Sequence, residues 1–131
     1  MLLLAALAAA AALAGDAAPP PPPQRTPLLS AQLPAARSLD HVQVVQIKLA
    51  PGQRVAPHRH PIPVVGYVVQ GEILFTRGGA PGQVLKAGDA FYEPADELIA
   101  TFDNLSAGTA AEFVAFYLLG PGQTELIRPE R

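Results

Sequence analysis

The sequence predicts a small all-β domain, either a sandwich or a barrel, from about residue 39 to its end. Three observations lead to this prediction. Short segments rich in β-branched and aromatic residues follow one another closely, glycine and proline separate them, and no segment has the apolar period and end caps of a helix. A length of 131 residues is enough for one such domain.

Seven segments have the composition and length of strands. The first, residues 42–49, is partly alternating and ends at the Pro51-Gly52 turn. The others are predicted at residues 64–69, 72–77, 83–85, 90–93, 98–102 and 110–119. Burial of most of these strands inside a small barrel accounts for a hydrophobic content of 50%.

Residues 1–14 form an uncharged run of leucine and alanine after the initial Met. The run is too short for a stable membrane span, and it is typical of the apolar part of a secretory signal peptide, with Ala12-Leu13-Ala14 as a cleavage site before Gly15. No lysine or arginine precedes Arg25, so the usual basic start of a signal is missing, and an Ala/Leu helix without an export role is the alternative. We expect a periplasmic or secreted protein.

Residues 15–38 are predicted to be a proline-rich linker followed by an N-terminal arm. Five consecutive prolines, Pro19 to Pro23, adopt an extended polyproline helix that cannot join a core. A spacer accounts for this run better than a ligand for a proline-recognition module does. The arm, residues 28–39, is expected to pack against the edge of the barrel domain at residues 39–131.

Charge and cysteine content exclude several function classes. The net charge is −2 and no cluster of Lys or Arg is present, so we expect no nucleic-acid partner. The chain has no cysteine, which excludes disulfides, zinc-thiolate sites and thiol catalysis.

Two of the three histidines lie two residues apart, at His58 and His60. Alternate residues of a strand point to the same face, so both imidazoles would lie side by side while Arg59 turns away. Such a pair suits a metal ion. Two neutral histidines that are hydrogen-bonded inside a pocket are the alternative.

The histidine pair belongs to a longer pattern that resembles the cupin family. Its first motif, G-x5-H-x-H-x3-E-x6-G, is matched in register by Gly52, His58, His60 and Gly71. Its second motif, G-x5-P-x-G-x2-H-x3-N, is matched by Gly88 and Pro94, and Asn104 lies one place beyond the motif asparagine. The resemblance covers about residues 39–119 and implies a jelly-roll barrel, also called a double-stranded β-helix.

The resemblance also implies a metal-ligand set that this chain lacks in part. Metal-binding cupins use two histidines and a glutamate from the first motif and one histidine from the second. The glutamate position here is Val64 and the second histidine position is Ile99, neither of which can ligate. The motif glycine is Asp96 and the motif asparagine is Asp103. We expect Val64 and Ile99, together with Tyr67, to line the barrel pocket.

Glu93 is the first candidate for a substitute ligand, because it lies on the predicted strand 90–93, and Tyr67, Glu72, Asp96 and Glu97 are more remote candidates. A His58, His60 and Glu93 set would match the two-histidine, one-carboxylate arrangement of non-haem iron enzymes. The expected cofactor is one divalent ion of iron, manganese, nickel, zinc or copper, and a protein without metal is the alternative.

These observations predict a small secreted or periplasmic protein that binds a small molecule in its barrel and has a depleted metal site. The alternative is a metal-dependent enzyme of dioxygenase, isomerase or lyase type that uses His58 and His60 with a nonstandard third ligand. A homodimer formed by strand exchange through the arm at residues 28–39 is a further expectation.

Overall fold

The structure, a computed structural model, describes residues 15–131. The predicted signal peptide at residues 1–14 lies outside the described residues. Within residues 15–131, no helix is long and apolar enough to cross a membrane.

Nine strands make up the described part of the chain, and the all-β prediction is confirmed. In chain order they are β1 (His41–Leu49), β2 (His58–Arg59), β3 (Val64–Gln70), β4 (Glu72–Arg77), β5 (Gln83–Lys86), β6 (Ala90–Glu93), β7 (Ile99–Asn104), β8 (Ala111–Leu119) and β9 (Arg128–Pro129). The seven predicted strands are all present, with ends that differ by at most two residues. The two-residue strands β2 and β9 were not among them.

The strands form two antiparallel sheets. One sheet has the order β1-β8-β3-β6, and the other has the order β5-β4-β7-β2-β9. The buried side chains of both sheets join one core cluster, which places the sheets face to face as in a jelly roll. His58 on β2, with His60 just after it, and Glu93 on β6 therefore come from opposite sheets and meet across the interior.

Four phenylalanines fill much of this core. Phe75, Phe91, Phe102 and Phe113 pack with ring centroids between 4.8 and 5.9 Å apart, in tilted or edge-to-face arrangements that aromatic rings favour. Phe102 and Phe113 also face the cavity that contains the histidines. A rigid aromatic layer thus supports one side of that cavity.

Two turns depend on a left-handed backbone. Gly71 joins β3 to β4 with φ of 86°, and a Cβ atom there would lie 2.9 Å from the Cα of Ala111. Asp96 occupies the motif-glycine position and adopts the same class of conformation, with φ of 63°. Aspartate tolerates this conformation better than most residues, which explains how the turn survives the loss of its glycine.

The N-terminal arm has no strand and is largely exposed. Residues 29–34 run beside Tyr92 on β6 and Pro81 in the loop before β5, and a cavity of about 460 Å³ separates them from the barrel. Farther along, the Asp40 amide donates to the Leu119 carbonyl and leads the chain into β1. The arm thus borders the domain along the edge formed by β6.

Gly66 provides a test of this packing, because Phe91 on the paired strand covers it. A Cβ atom at Gly66 would lie 2.0 Å from the Phe91 ring, which is buried among other aromatic rings and cannot move freely. We expect Gly66→Ala to lower the free energy of unfolding by about 1–3 kcal/mol, measured by urea denaturation. Gly79→Ala is the control, because nothing lies within 4 Å of its added Cβ. Equal stability of the two variants would contradict this packing.

Candidate metal centre

Strand β2 carries His58 and is followed directly by His60, and it pairs with a strand on each side. His58 pairs with Ile99 of β7, and β9 pairs along the other edge of β2. His58 and His60 are buried, whereas Arg59 points outward and bonds Glu130. The two imidazoles lie on the same face, as the alternation of a strand requires, with ring centroids 5.0 Å apart.

The loop that leads into His58 is anchored by Asp103. Its Oδ1 accepts from the Val55 amide at 3.1 Å, and its Oδ2 accepts from Nε of Arg54 at 3.0 Å. Next to it, the Asn104 amide donates to the Gln53 carbonyl at 2.9 Å. The aspartate at the motif-asparagine position therefore fixes the entry to β2, through contacts that an asparagine could make only in part.

Backbone carbonyls orient both imidazoles. Nδ1 of His58 lies 2.9 Å from the Ala56 carbonyl, and Nδ1 of His60 lies 2.5 Å from the Leu126 carbonyl. A carbonyl oxygen can only accept, so each Nδ1 carries the hydrogen. Each Nε2 is then the nitrogen that is available to bind another group, which is the arrangement found when histidine ligates a metal.

Glu93 restores the carboxylate that the first motif lacks. In the pairing of β3 with β6, Glu93 lies directly opposite Val64, which stands at the motif-glutamate position. Cross-strand partners share a face of the sheet, so the Glu93 side chain enters the interior one strand away from that position. It is buried, and its Oε2 lies 3.1 Å from Nε2 of His60.

The three side chains form a cluster whose ligand atoms all lie within 4.8 Å of one another. With Nδ1 of His60 already donating, a neutral ring would present the Nε2 lone pair to a carboxylate at 3.1 Å. Two acceptors at that distance require a proton or a cation between them. Two imidazole nitrogens and one carboxylate oxygen are a donor set for first-row divalent metals, and the residues present therefore fit such an ion.

The other candidate ligands lie outside this cluster. Asp96 lies beside Arg128, Glu97 beside Arg77 and Glu72 beside Lys86, and all three pairs are at the surface. Tyr67 is 40% exposed. The cluster of His58, His60 and Glu93 is the single group of three or more such ligands within residues 15–131.

Electrostatics in the cluster favour a proton on His60 when no ion competes. Burial lowers the pKa of His60, but the hydrogen bond and the charge of Glu93, with the Leu126 carbonyl, outweigh it and raise the pKa above 6.5. Burial raises the pKa of Tyr117, and the charge of Glu93 adds to the effect. Tyr117, whose ring centroid lies 5.8 Å from that of His60, is thus a neutral hydroxyl donor at the site.

A cavity of about 130 Å³ opens onto the cluster. Its walls are Ile47, Leu49, Val55, His58, His60, Glu93, Phe102, Phe113, Ala115, Tyr117 and Ile127. The lining is therefore apolar except for the three cluster residues and one tyrosine.

The residues predicted to line the pocket are Val64, Ile99 and Tyr67. Val64 and Ile99 are fully buried and point inward, but they belong to the packed core and are not among the walls of this cavity. Tyr67 lies on the outer face of β3, because it is three residues from Val64 and side chains alternate along a strand.

Three residues of the site were missed in the sequence. Tyr117 is not among the residues predicted for the site, although its position in the alternation of β8, two residues from Ala115 and Leu119, indicates an inward side chain. Leu126 and Ile127 precede the two-residue strand β9, and nothing in their local sequence indicates a return to β2. Only the fold places this C-terminal segment against His60.

The pattern of the whole domain agrees with one known family. The family model described as a cupin domain matches residues 45–117, which is more than half of the chain. The chain belongs to the cupin family. The predicted family is thereby confirmed. No curated protein sequence matches this cupin.

Solved structures with the same fold confirm the jelly-roll prediction. A conserved protein with a double-stranded β-helix domain from Klebsiella pneumoniae is 25% identical, with a TM-score of 0.56 over 69% of this cupin and 76% of that chain. A predicted oxalate decarboxylase from Thermotoga maritima is 30% identical, with a TM-score of 0.52 over 58% and 64%. An oxalate oxidase in complex with glycolate is 27% identical, with a TM-score of 0.54 over 66% and 45%. This cupin therefore spans less than two thirds of both oxalate proteins.

The raised pKa of His60 predicts how the stability of the metal-free cupin depends on pH. The unfolded chain binds this proton with an ordinary pKa of 6.5, and the folded chain binds it more tightly. The stabilisation is therefore complete below pH 6.5 and is lost as the pH rises through the folded pKa.

The measurement is urea denaturation in a chelator across this pH range, for the wild type and His60→Gln. We expect the stability of the wild type relative to the variant to fall as the pH rises above 6.5 and then to level off. A difference that is constant or grows with pH would contradict the His60–Glu93 pairing.

Proposed function

We propose that this cupin holds a divalent metal ion with His58, His60 and Glu93 and binds a small molecule beside it, as a metal-dependent enzyme. The observation that carries the proposal is the position of Glu93, which brings a buried carboxylate to two preoriented histidines. A buried carboxylate needs a compensating charge, and the described walls of the cavity contain no lysine or arginine, so either a bound cation or the protonated His60 must supply it.

Each residue of the site has a distinct role in this proposal. His58 and His60 present Nε2 because the Ala56 and Leu126 carbonyls hold Nδ1. Glu93 would be the third ligand and would neutralise one charge of the ion. A bound ion supplies Lewis-acid catalysis or, with a redox-active metal, oxygen activation.

Tyr117 and the apolar walls complete the environment of the substrate. The Tyr117 hydroxyl stays protonated, so it can donate a hydrogen bond to an oxygen atom of the substrate. The aliphatic and aromatic walls exclude water, which strengthens each polar interaction inside the cavity. We assign the metal to iron, manganese, nickel, zinc or copper, because imidazole ligands suit iron, nickel, zinc and copper, and the carboxylate also suits manganese.

The solved neighbours support a small organic acid as the substrate. The oxalate oxidase and the predicted oxalate decarboxylase described above are 27% and 30% identical to this cupin, respectively. Both names specify reactions on a small acid. The proposed activity is accordingly an oxidation, lysis or isomerisation of a small acid.

A metal-free binding protein is the second candidate, because the His60–Glu93 ion pair already satisfies both groups. In that case the cavity binds a small molecule without catalysis. Export through residues 1–14 remains part of the proposal. So does a homodimer formed through the arm, which is supported by the exposure of Leu28 and Leu29.

Metal binding by variants separates the two candidates. Removal of one ligand should weaken cobalt(II) binding by at least about 100-fold, since even the loss of a group that only orients a ligand costs roughly 10–100-fold. The variants are Glu93→Gln and His58→Ala, and the measurement is titration of untagged protein followed by the visible absorption of cobalt(II).

Glu72→Gln is the matched control, because Glu72 is a carboxylate of the opposite sheet that faces the surface. It should bind cobalt(II) as the wild type does. Equal affinities for all four proteins, or no binding by any of them, would sink the metal-dependent proposal and leave the binding protein.

A further inference from the structure

The polar groups of the cavity are the three cluster residues and the neighbouring Tyr117, and everything else in its walls is apolar. Ile47, Leu49, Val55, Phe102 and Phe113 form most of the remaining surface. A ligand thus meets hydrogen-bonding or charged groups at one place only. A second polar group, at a distance from the first, would be buried without a partner.

Charge restricts the ligand further. Glu93 is the only acidic wall residue, and no lysine or arginine lines the described cavity. The nearby arginines are held in outer ion pairs, Arg54 with Asp103 and Arg59 with Glu130. A divalent ion with Glu93 leaves one net positive charge, which one carboxylate neutralises.

The size of the cavity sets the third restriction. At about 130 Å³ it is smaller than the roughly 300–1,000 Å³ of pockets that hold drug-sized ligands. Ile127 forms part of the boundary and is 46% exposed, whereas every other wall residue is buried or half-buried, so Ile127 is the wall residue that faces both the cavity and solvent.

The segment that carries Ile127 is fastened on both sides of this residue. The Leu126 carbonyl accepts from His60, and the Glu130 amide donates to the Pro57 carbonyl at 2.9 Å. Arg59 adds an ion pair to Glu130 at 3.0 Å. The position of Ile127 is therefore fixed relative to the histidines, and the same segment orients His60 and closes the cavity.

We infer that the substrate is a short monocarboxylic acid with an apolar body, and that Ile127 determines its maximum length. The inferred preference rests on the metal site proposed above. This preference excludes dicarboxylates, because the second carboxylate of such an acid would lie against apolar walls. Ile127 acts as a specificity-determining residue, since it is the most exposed wall residue and its truncation enlarges the cavity towards solvent.

Binding of a series of acids to the cobalt(II)-loaded protein tests this inference. The probes are butyrate, succinate and octanoate, and the readout is the change in cobalt(II) absorption. Butyrate and succinate have the same number of carbons, so succinate adds only the second carboxylate. The wild type should bind butyrate at least about tenfold more tightly than succinate or octanoate.

Ile127→Ala should bind octanoate at least about tenfold more tightly than the wild type, with butyrate little changed. Leu105→Ala is the control, because Leu105 is exposed to a similar extent, 47%, and lies outside the cavity. Succinate bound as tightly as butyrate, or the same chain-length preference in wild type and Ile127→Ala, would overturn the inference.

Absence of any cobalt(II) spectrum counts against the metal site and not against the size limit. In that event butan-1-ol and octan-1-ol, which need no metal, are titrated while NMR follows the methyl groups of Val55 and Leu49. Shifts with butan-1-ol alone in the wild type, and with both alcohols in Ile127→Ala, support the limit. The same response to both alcohols in both proteins overturns it.

Discussion

Glu93 faces the interior because β6 pairs with β3 in the register that sets Glu93 opposite Val64. A shift of that register by one residue would turn the carboxylate to the outer face and leave two histidines without an acidic partner. Phe91, two residues earlier, lies over Gly66 and resists such a shift, since a bulky ring fits only where the paired residue lacks a side chain. The chemistry of the cavity thus depends on a feature of backbone pairing.

A buried carboxylate next to two imidazoles is costly unless charge compensates it. The surrounding structure holds the groups together through the Asp103 anchor before β2 and the C-terminal segment beyond it. The contacts of that segment also include the Arg59–Glu130 ion pair, which is partly exposed and contributes little alone. The ion pair matters because it helps to position Leu126, which orients His60, and Ile127, which forms part of the cavity wall.

The fold could be predicted from local signals, because turn glycines and β-branched runs report on the segment in which they occur. The inward direction of His58 and His60 followed from strand alternation. Glu93 could be named as a candidate but not positioned, since its distance to His60 depends on how two sheets pack. The role of Ile127 was beyond prediction, because β9 is two residues long and its pairing with β2 spans most of the domain.

The most direct test of the account is a crystal structure of the untagged cupin grown with cobalt(II), with anomalous diffraction measured at the cobalt edge. One anomalous peak between Nε2 of His58, Nε2 of His60 and the Glu93 carboxylate is the predicted result, with Glu93 in the register opposite Val64. A cluster without a peak, in which Glu93 stays paired with His60 alone, would contradict the metal centre.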